Sequence, residues 1–503
     1  MSSPKCRDFY QELIVKLEER SRLEGVMGIM HWDQEVIMPS GATDARSKQM
    51  ATLAGVIHEK SIDPEFGNLI NKIKIKEFTD IEQCNVNEAK RIFELETKIP
   101  KVLVQEMAEL SSRGHQIWAK AREENNFKHF LPTLERLIVL KKKWASYAFP
   151  DLDPYDANID LYERGMRMER ITPIFEQLKE KLIPLIKAIG NSKNEIDTKF
   201  LEGNFSIDKQ KTLGKIISND IGFDFDKGRM DESVHPFCGG GHPTDVRITT
   251  RYRSDNFIES LYGVIHETGH GLYEQGRMLD FHDLPVSEPL TMAIHESQSL
   301  FWERMVAQNK MFCDRYIDKF SEIFPDNLYG VSSNKLYSAI NKCHPSFIRV
   351  EADEVTYPMH IILRYEIEKG LFDGTIKVEN LPNVWNDKME EYLGIIPTSD
   401  SLGLLQDVHW SGGAFGYFPS YTLGAMYACQ FYEKMLRDFN DNSVKFIDGD
   451  FLCIKNWLNK NIHQLGRLYT PDDLAMKVTG ESLNPDIYIN YLKNKYSEIY
   501  QLN

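Results

Sequence analysis

A mainly α-helical fold with one small β-sheet is what this sequence predicts. Apolar residues recur at three- and four-residue spacing along most of the chain, and a single stretch alternates apolar with polar residues as a strand does. From the N-terminus, helical periods run over 6–31, 43–60, 82–126, 130–149 and 169–190, then over 255–275, 288–323, 354–370 and 418–439. Pro100, Pro150-Asp151 and Pro325-Asp326 supply punctuation. The 255–275 segment is the most regular: Phe257, Ile258, Leu261, Ile265 and Leu272 share a face, and Gly276 stands where such a helix stops. The strand is Asp245 to Tyr252, where Val246, Ile248 and Thr250 alternate with Arg247, Thr249 and Arg251. No Gly/Ser linker, low-complexity run or internal repeat divides residues 1–503, so a single domain is expected.

Composition narrows the class. With 42% apolar residues the chain can bury a sizeable core, and no run of eighteen or more apolar residues exists to span a bilayer. A net charge of −15, with no basic stripe interleaved with aromatics, argues against nucleic acid as a partner. Seven cysteines at irregular positions (6, 84, 238, 313, 343, 429 and 453) form neither a zinc ribbon nor an even disulfide frame. Met1 to Tyr10 is charged and lacks an apolar signal core, so reduced thiols in a cytoplasm are expected.

The chemistry is concentrated in His266-Glu267-Thr268-Gly269-His270. Histidines at i and i+4 of a helix put two imidazoles on one face, a spacing that grips zinc, and the intervening glutamate can take a proton from a water at the ion. Such a site needs a third protein ligand. Glu296, in His295-Glu296-Ser297-Gln298-Ser299 and flanked by Met292, Ala293, Leu300 and Phe301, is the candidate, because an unpaired carboxylate in apolar surroundings costs several kcal/mol that a metal offsets. A glutamate facing water in a first helical turn is the plainer alternative.

The spacing from HExxH across twenty-five residues to the Glu of HESQ resembles the M32 metallocarboxypeptidases, the Taq carboxypeptidase family. Further segments agree: His31-Trp32-Asp33-Gln34-Glu35, His235-Pro236-Phe237, Asp245-Val246-Arg247-Ile248-Thr249, Ile348-Arg349-Val350-Glu351-Ala352-Asp353 and Gly403-Leu404-Leu405-Gln406-Asp407-Val408-His409-Trp410. A tail pattern in Thr479 to Asn484, Tyr491-Leu492 and Lys495-Tyr496 extends the likeness over essentially the whole chain, while Cys238-Gly239-Gly240-Gly241 is looser than the family pattern. The resemblance implies a helical gluzincin with a deep active-site cleft and a small β-sheet, of neurolysin- and angiotensin-converting-enzyme-like architecture. It also implies release of single C-terminal residues from peptides with broad preference and little cleavage after proline, one zinc or cobalt ion per chain, and a homodimer. Under it, the strand 245–252 is expected at the cleft edge, where an extended substrate pairs with its backbone; a charged solvent edge is the alternative.

Roles follow. His266, His270 and Glu296 are expected to hold the metal and Glu267 to act as general base. His409 and Tyr421 are candidates for the oxyanion, by similarity to the histidine and downstream tyrosine of angiotensin-converting-enzyme-like zincins, with Asp407 orienting His409. Tyr417 competes with Tyr421, and an aromatic core face accounts equally well for both. A free terminal carboxylate suits a guanidinium: Arg349 first, Arg247 second, His242 as helper. Arg349 also has Asp353 at i+4 as a structural partner if its segment is helical. Arg364, Asp33 and Trp32 read as structural. An oligopeptidase or dipeptidyl carboxypeptidase would use the same metal chemistry, and a non-catalytic peptide-binding scaffold would have no need of Glu267.

Overall fold

A computed structural model describes residues 4–441 and 450–502. Among the described residues, nine α-helices precede the sheet: α1 (Pro4–Val36), α2 (Thr43–Ser61), α3 (Pro64–Lys72), α4 (Asp80–Lys98), α5 (Lys101–Glu123), α6 (Phe127–Ala148), α7 (Pro154–Ile159), α8 (Met168–Gly190) and α9 (Ile207–Asp220). Strands β1 (Gly228–Glu232), β2 (Cys238–His242) and β3 (Asp245–Thr250) follow. Then come α10 (Phe257–Gln275), α11 (Met292–Leu300), α12 (Lys310–Ile323), α13 (Pro325–Leu328), α14 (Ser333–Ile340), α15 (Tyr357–Asp373), α16 (Leu381–Leu393), α17 (Pro419–Asp441), α18 (Phe451–Asn461), α19 (Pro471–Thr479) and α20 (Pro485–Tyr500).

Two predicted helices prove to be several. The 82–126 period breaks at Pro100, which has no N–H to continue the ladder, into α4 and α5. The 288–323 period splits into α11, a π-helical turn over Phe301–Ala307 and α12. Several helices that periodicity does not pick out have a proline just behind a side-chain cap: Asp63-Pro64, Asp153-Pro154, Thr470-Pro471 and Asn484-Pro485.

The sheet runs in the order β1-β3-β2, with β1 parallel and β2 antiparallel to β3. The predicted strand is therefore the central one. Over Val246–Ile248 both its edges are occupied, so the expected pairing of a substrate with that backbone is excluded, and the edge strands are β1 and β2. Val246 and Ile248 are buried, and a Cβ on Gly271 of α10 would lie 3.2 Å from the Ile248 side chain, so this face of β3 packs on α10. The glycine run of β2 has its own reason. A Cβ on Gly28 of α1 would lie 2.4 Å from the Gly240 carbonyl, and one on Gly25 would lie 2.7 Å from that of Gly241, so helix and strand meet backbone to backbone. Trp32, farther along α1, is buried between the guanidiniums of Arg229 and Arg247, 4.8 and 4.3 Å from its ring, and Asp33 pairs with Arg46.

The main apolar core runs from α5 to α20, and a smaller cluster of Tyr10, Leu13, Leu17, Phe66, Leu69, Val86 and Val286 joins α1, α3 and α4 to the segment before α11. Two buried carboxylates tie distant segments together. Glu354 accepts from Lys495 of α20 at 2.5 Å, and Tyr488 donates to the Glu354 carbonyl at 3.1 Å, so the tail is latched to the start of α15. Glu368 of α15 accepts from Tyr155 Oη (2.8 Å), Trp410 Nε1 (2.7 Å) and the Gly416 N–H (2.8 Å), fixing the chain between 410 and 416 without a cation.

Replacing Glu354 by Leu, which leaves the Lys495 ammonium buried and unpaired, should lower unfolding free energy by about 3–5 kcal/mol in denaturant titrations, and Lys495→Met added to it should restore most of the loss. Burial lifts the Glu368 carboxyl from 4.5 to about 7 despite its three donors. Between those values the folded protein keeps a proton that the unfolded chain has released, so this group's contribution to stability declines as pH rises through that window. Measured against Glu368→Gln, which cannot ionise, wild-type stability should fall from pH 5 to pH 7; a pH-independent difference would contradict the assignment.

Candidate metal centre and active site

Helix α10 begins at Asn256, whose side chain caps the N–H groups of Ile258 and Glu259 at 3.0 and 3.2 Å, and it presents His266 and His270 one turn apart. Helix α11 crosses it closely. A Cβ on Gly269 would lie 2.7 Å from both the Gln298 carbonyl and Ser299 Cα, so the glycine inside the HETGH run is what lets the two helices touch. Glu296 is thereby carried to the histidines, with Oε2 3.5 Å from His270 Nε2 and 3.8 Å from His266 Nε2. One side-chain donor atom from each of the three residues lies within 4.8 Å of the others. Two imidazole nitrogens and one carboxylate oxygen fit a four-coordinate divalent ion with one position left open.

The far sides of both imidazoles are engaged. His266 Nδ1 lies 2.6 Å from Glu303 Oε2, and His270 Nδ1 lies 2.6 Å from His295 Nδ1, whose Nε2 is 3.0 Å from Glu274 Oε1. Such partners fix ring orientation and direct Nε2 toward a metal. Sequence reasoning missed Glu303 and Glu274 and gave His295 no role. Glu274 had a signal, lying four residues after His270 on the same helical face; Glu303 had none, because its position depends on the π-helical turn.

Charge in this pocket follows from its burial. Burial opposes a charged His266, yet the carboxylates of Glu296 and Glu303 outweigh it and raise its pKa to about 10. Burial likewise opposes a charged Glu296, but His266 and His270 bring it down to about 2. His270, pressed by burial and by His295, falls to about 4 and is neutral. Glu267 is only 6% exposed, and its Oε2 has no hydrogen-bond partner among the described residues. Burial raises its carboxyl to about 7.

A second group of side chains comes from 349–357 and 407–421. His409 Nε2 lies 3.3 Å from Tyr421 Oη, with its ring 4.6 Å from Phe418 and 5.3 Å from Tyr417. Tyr417 packs edge-on against Tyr162 and Tyr421, at 4.8 and 5.4 Å. The expected Asp407 to His409 hydrogen bond is absent. The atoms are 4.0 Å apart, and Asp407 instead accepts from Arg349 Nε (3.0 Å) and Arg364 Nε (2.7 Å). Burial opposes the Asp407 charge, but those two guanidiniums hold its carboxyl far below the usual range, while burial lowers His409 to about 4 and leaves it neutral.

Arg349, 6% exposed, opens a short 3₁₀ turn over Arg349–Glu351 and does not meet Asp353, which caps the N–H groups of Val355 and Thr356 instead. It donates to Tyr357 Oη at 2.7 Å, and its guanidinium carbon lies 4.9 Å from the Tyr421 ring. Arg349, His409 and Tyr421 are thus brought together, and Tyr357 joins them unforeseen. Arg247 is engaged elsewhere: it pairs bidentately with Asp245 at 2.8 and 2.9 Å and stacks on Trp32. His242, whose Nδ1 accepts from Thr244, lines a cavity of about 310 Å³ that Cys238, Glu274, His282 and His295 also line.

The family described as "Carboxypeptidase Taq (M32) metallopeptidase" matches residues 12–496. Carboxypeptidase 1 of Bacillus subtilis is 40% identical, over 98% of this chain and 99% of its own length. Thermostable carboxypeptidase 1 of Thermus thermophilus is 36% identical over the same shares. The crystal structure of an M32 carboxypeptidase from Deinococcus radiodurans R1, 34% identical, superposes with a TM-score of 0.95 over 98% of this chain and 100% of that one. The chain therefore belongs to the M32 metallopeptidase family and is a peptide-hydrolysing metallocarboxypeptidase.

Proposed function

We propose that the enzyme releases single C-terminal residues, with broad side-chain preference, by attack of an activated water on the scissile carbonyl, and that His266, His270 and Glu296 hold the ion involved. The observation that carries this reading is the buried, unpartnered Oε2 of Glu267 between two histidines that converge on Glu296. A zinc or cobalt ion that His266, His270 and Glu296 would hold there would supply Lewis acidity for the carbonyl and for a water. Glu267 takes the water's proton and delivers it to the departing amine. Tyr421 and neutral His409 donate to the carbonyl oxygen as negative charge develops on it; Tyr421, touching His409 directly, is favoured over Tyr417. Arg349 receives the substrate's terminal carboxylate. Arg247 and His242 remain secondary candidates, Arg247 the weaker because Asp245 already occupies its fork.

The resemblance supports a homodimer, which sedimentation checks. The seven cysteines at irregular positions support a reducing, cytoplasmic setting. No helix among the described residues is long and apolar enough to cross a membrane.

Glu267→Gln should bind the metal as wild type does yet lose several orders of magnitude in turnover, because it removes the base and spares the ligands. Near-normal turnover would refute its role. Arg349→Met should cost about 2–4 kcal/mol in kcat/KM toward a peptide acid and leave the poor rate on the matching amide nearly unchanged. Equal losses on both would mean that Arg349 acts by fixing Asp407 and Tyr357. A wild-type enzyme that cuts the amide as fast as the acid would be an oligopeptidase, and release of dipeptides would make it a dipeptidyl carboxypeptidase.

A further inference from the structure

We propose that Gly424 of α17 is a positioning residue for the metal centre, shaped to seat the stem of Glu296; the inference rests on the reading of Glu296 as a ligand. A Cβ added at Gly424 would lie 2.9 Å from Cβ and 2.9 Å from Cγ of Glu296, and 3.1 Å from the Ala293 carbonyl oxygen. These are the fixed root of the side chain and its own helix backbone, not a flexible tip.

Helix α11 has no direction in which to yield. On its α10 side, a Cβ at Gly269 would already meet the Gln298 carbonyl and Ser299 Cα at 2.7 Å. At its N-terminus, the buried Glu163 carboxylate accepts the Ala293 N–H at 2.5 Å. The third ligand therefore stands on a short helix gripped from two sides by glycine contacts and held at one end by a carboxylate. A methyl group at 424 must displace the Glu296 stem, and with it an Oε2 that now lies 3.5 Å from His270 Nε2 and 3.8 Å from His266 Nε2. Metal geometry tolerates about half an ångström of such error.

The test is Zn²⁺ affinity, measured by competition with a chromophoric chelator after metal removal, for wild type, Gly424→Ala and Leu423→Ala, with thermal unfolding of each metal-free protein alongside. Leu423, the neighbouring residue, is fully buried, so its truncation disturbs α17 packing without touching Glu296 through the same contact. Gly424→Ala should bind Zn²⁺ about tenfold or more weakly, the range for loss of a group that orients a ligand, whereas Leu423→Ala keeps wild-type affinity despite equal or greater loss of metal-free stability. Unchanged affinity in Gly424→Ala, or losses in both variants that merely track stability, would overturn the proposal. If Gly424→Ala does not fold, Glu296→Gly combined with it removes the opposing stem and should recover a folded protein; failure to recover would place the clash on Ala293 and overturn the role of Glu296. A wild-type protein that binds neither Zn²⁺ nor Co²⁺ would overturn the metal-site reading itself, and this inference with it.

Discussion

Negative charge packed into a buried pocket is the constraint on which the rest of this structure depends. Glu267, Glu274, Glu296 and Glu303 crowd around His266, His270 and His295, and the carboxylates on His266 are strong enough to hold a proton there up to about pH 10. A site with that appetite for a proton suits a divalent cation in the same way, and His266, His270 and Glu296 are the group that could hold one. The elements around it keep those charges in register. Gly269 lets α11 approach, and the π-helical turn after α11 swings Glu303 behind His266.

The opposing group of side chains applies the inverse electrostatic logic. There a single carboxylate, Asp407, is shared by Arg349 and Arg364, so cationic character dominates beside His409 and Tyr421. Arg364 is wholly buried and stacks 4.7 Å from Trp385, so it serves as a fixed prop for Asp407 and leaves Arg349 the outer position. His409 stays neutral because burial outweighs an aspartate 4.0 Å away that is already neutralised by two guanidiniums. A neutral imidazole beside a tyrosine hydroxyl donates a hydrogen bond without the penalty of burying a further charge.

How much of this could be read from sequence depended on the range of the interaction. The helical period of 255–275 and the i, i+4 histidines are local, and α10 with its convergent pair could be foreseen from them. Glu296 was also within reach, because an acid in apolar surroundings signals a missing partner. Sequence-local reasoning failed where two plausible partners sat close in the chain. Asp353 lies four residues from Arg349 and Asp407 two from His409, yet neither pair forms, because Arg349 instead crosses fifty-eight residues to Asp407. Proximity in sequence offered a partner, and tertiary geometry supplied a better one. The strand 245–252 is expected at a cleft edge through the resemblance; β2 is glycine-rich and β1 is short and charged, so neither announces itself in sequence as a neighbour of that strand.

The motifs scattered from Trp32 to Lys495 take on a common physical meaning once their partners are known. Trp32 is held by Arg247 from the DVRIT segment, Glu354 next to the IRVEAD segment by Lys495 of the tail, and Trp410 of the HW pair by Glu368. In each case a buried side chain is packed against or paired with a residue far away in the chain, and removing one partner of the buried Glu354–Lys495 pair costs several kcal/mol. Such pairs are expensive to break singly and carry no chemistry of their own. The sequence segments that look most distinctive are thus of two kinds: those that supply the His266–His270–Glu296 and Arg349–His409–Tyr421 groups, and those that pair distant parts of the chain through buried contacts. Local pattern does not distinguish the two, and the buried partner does.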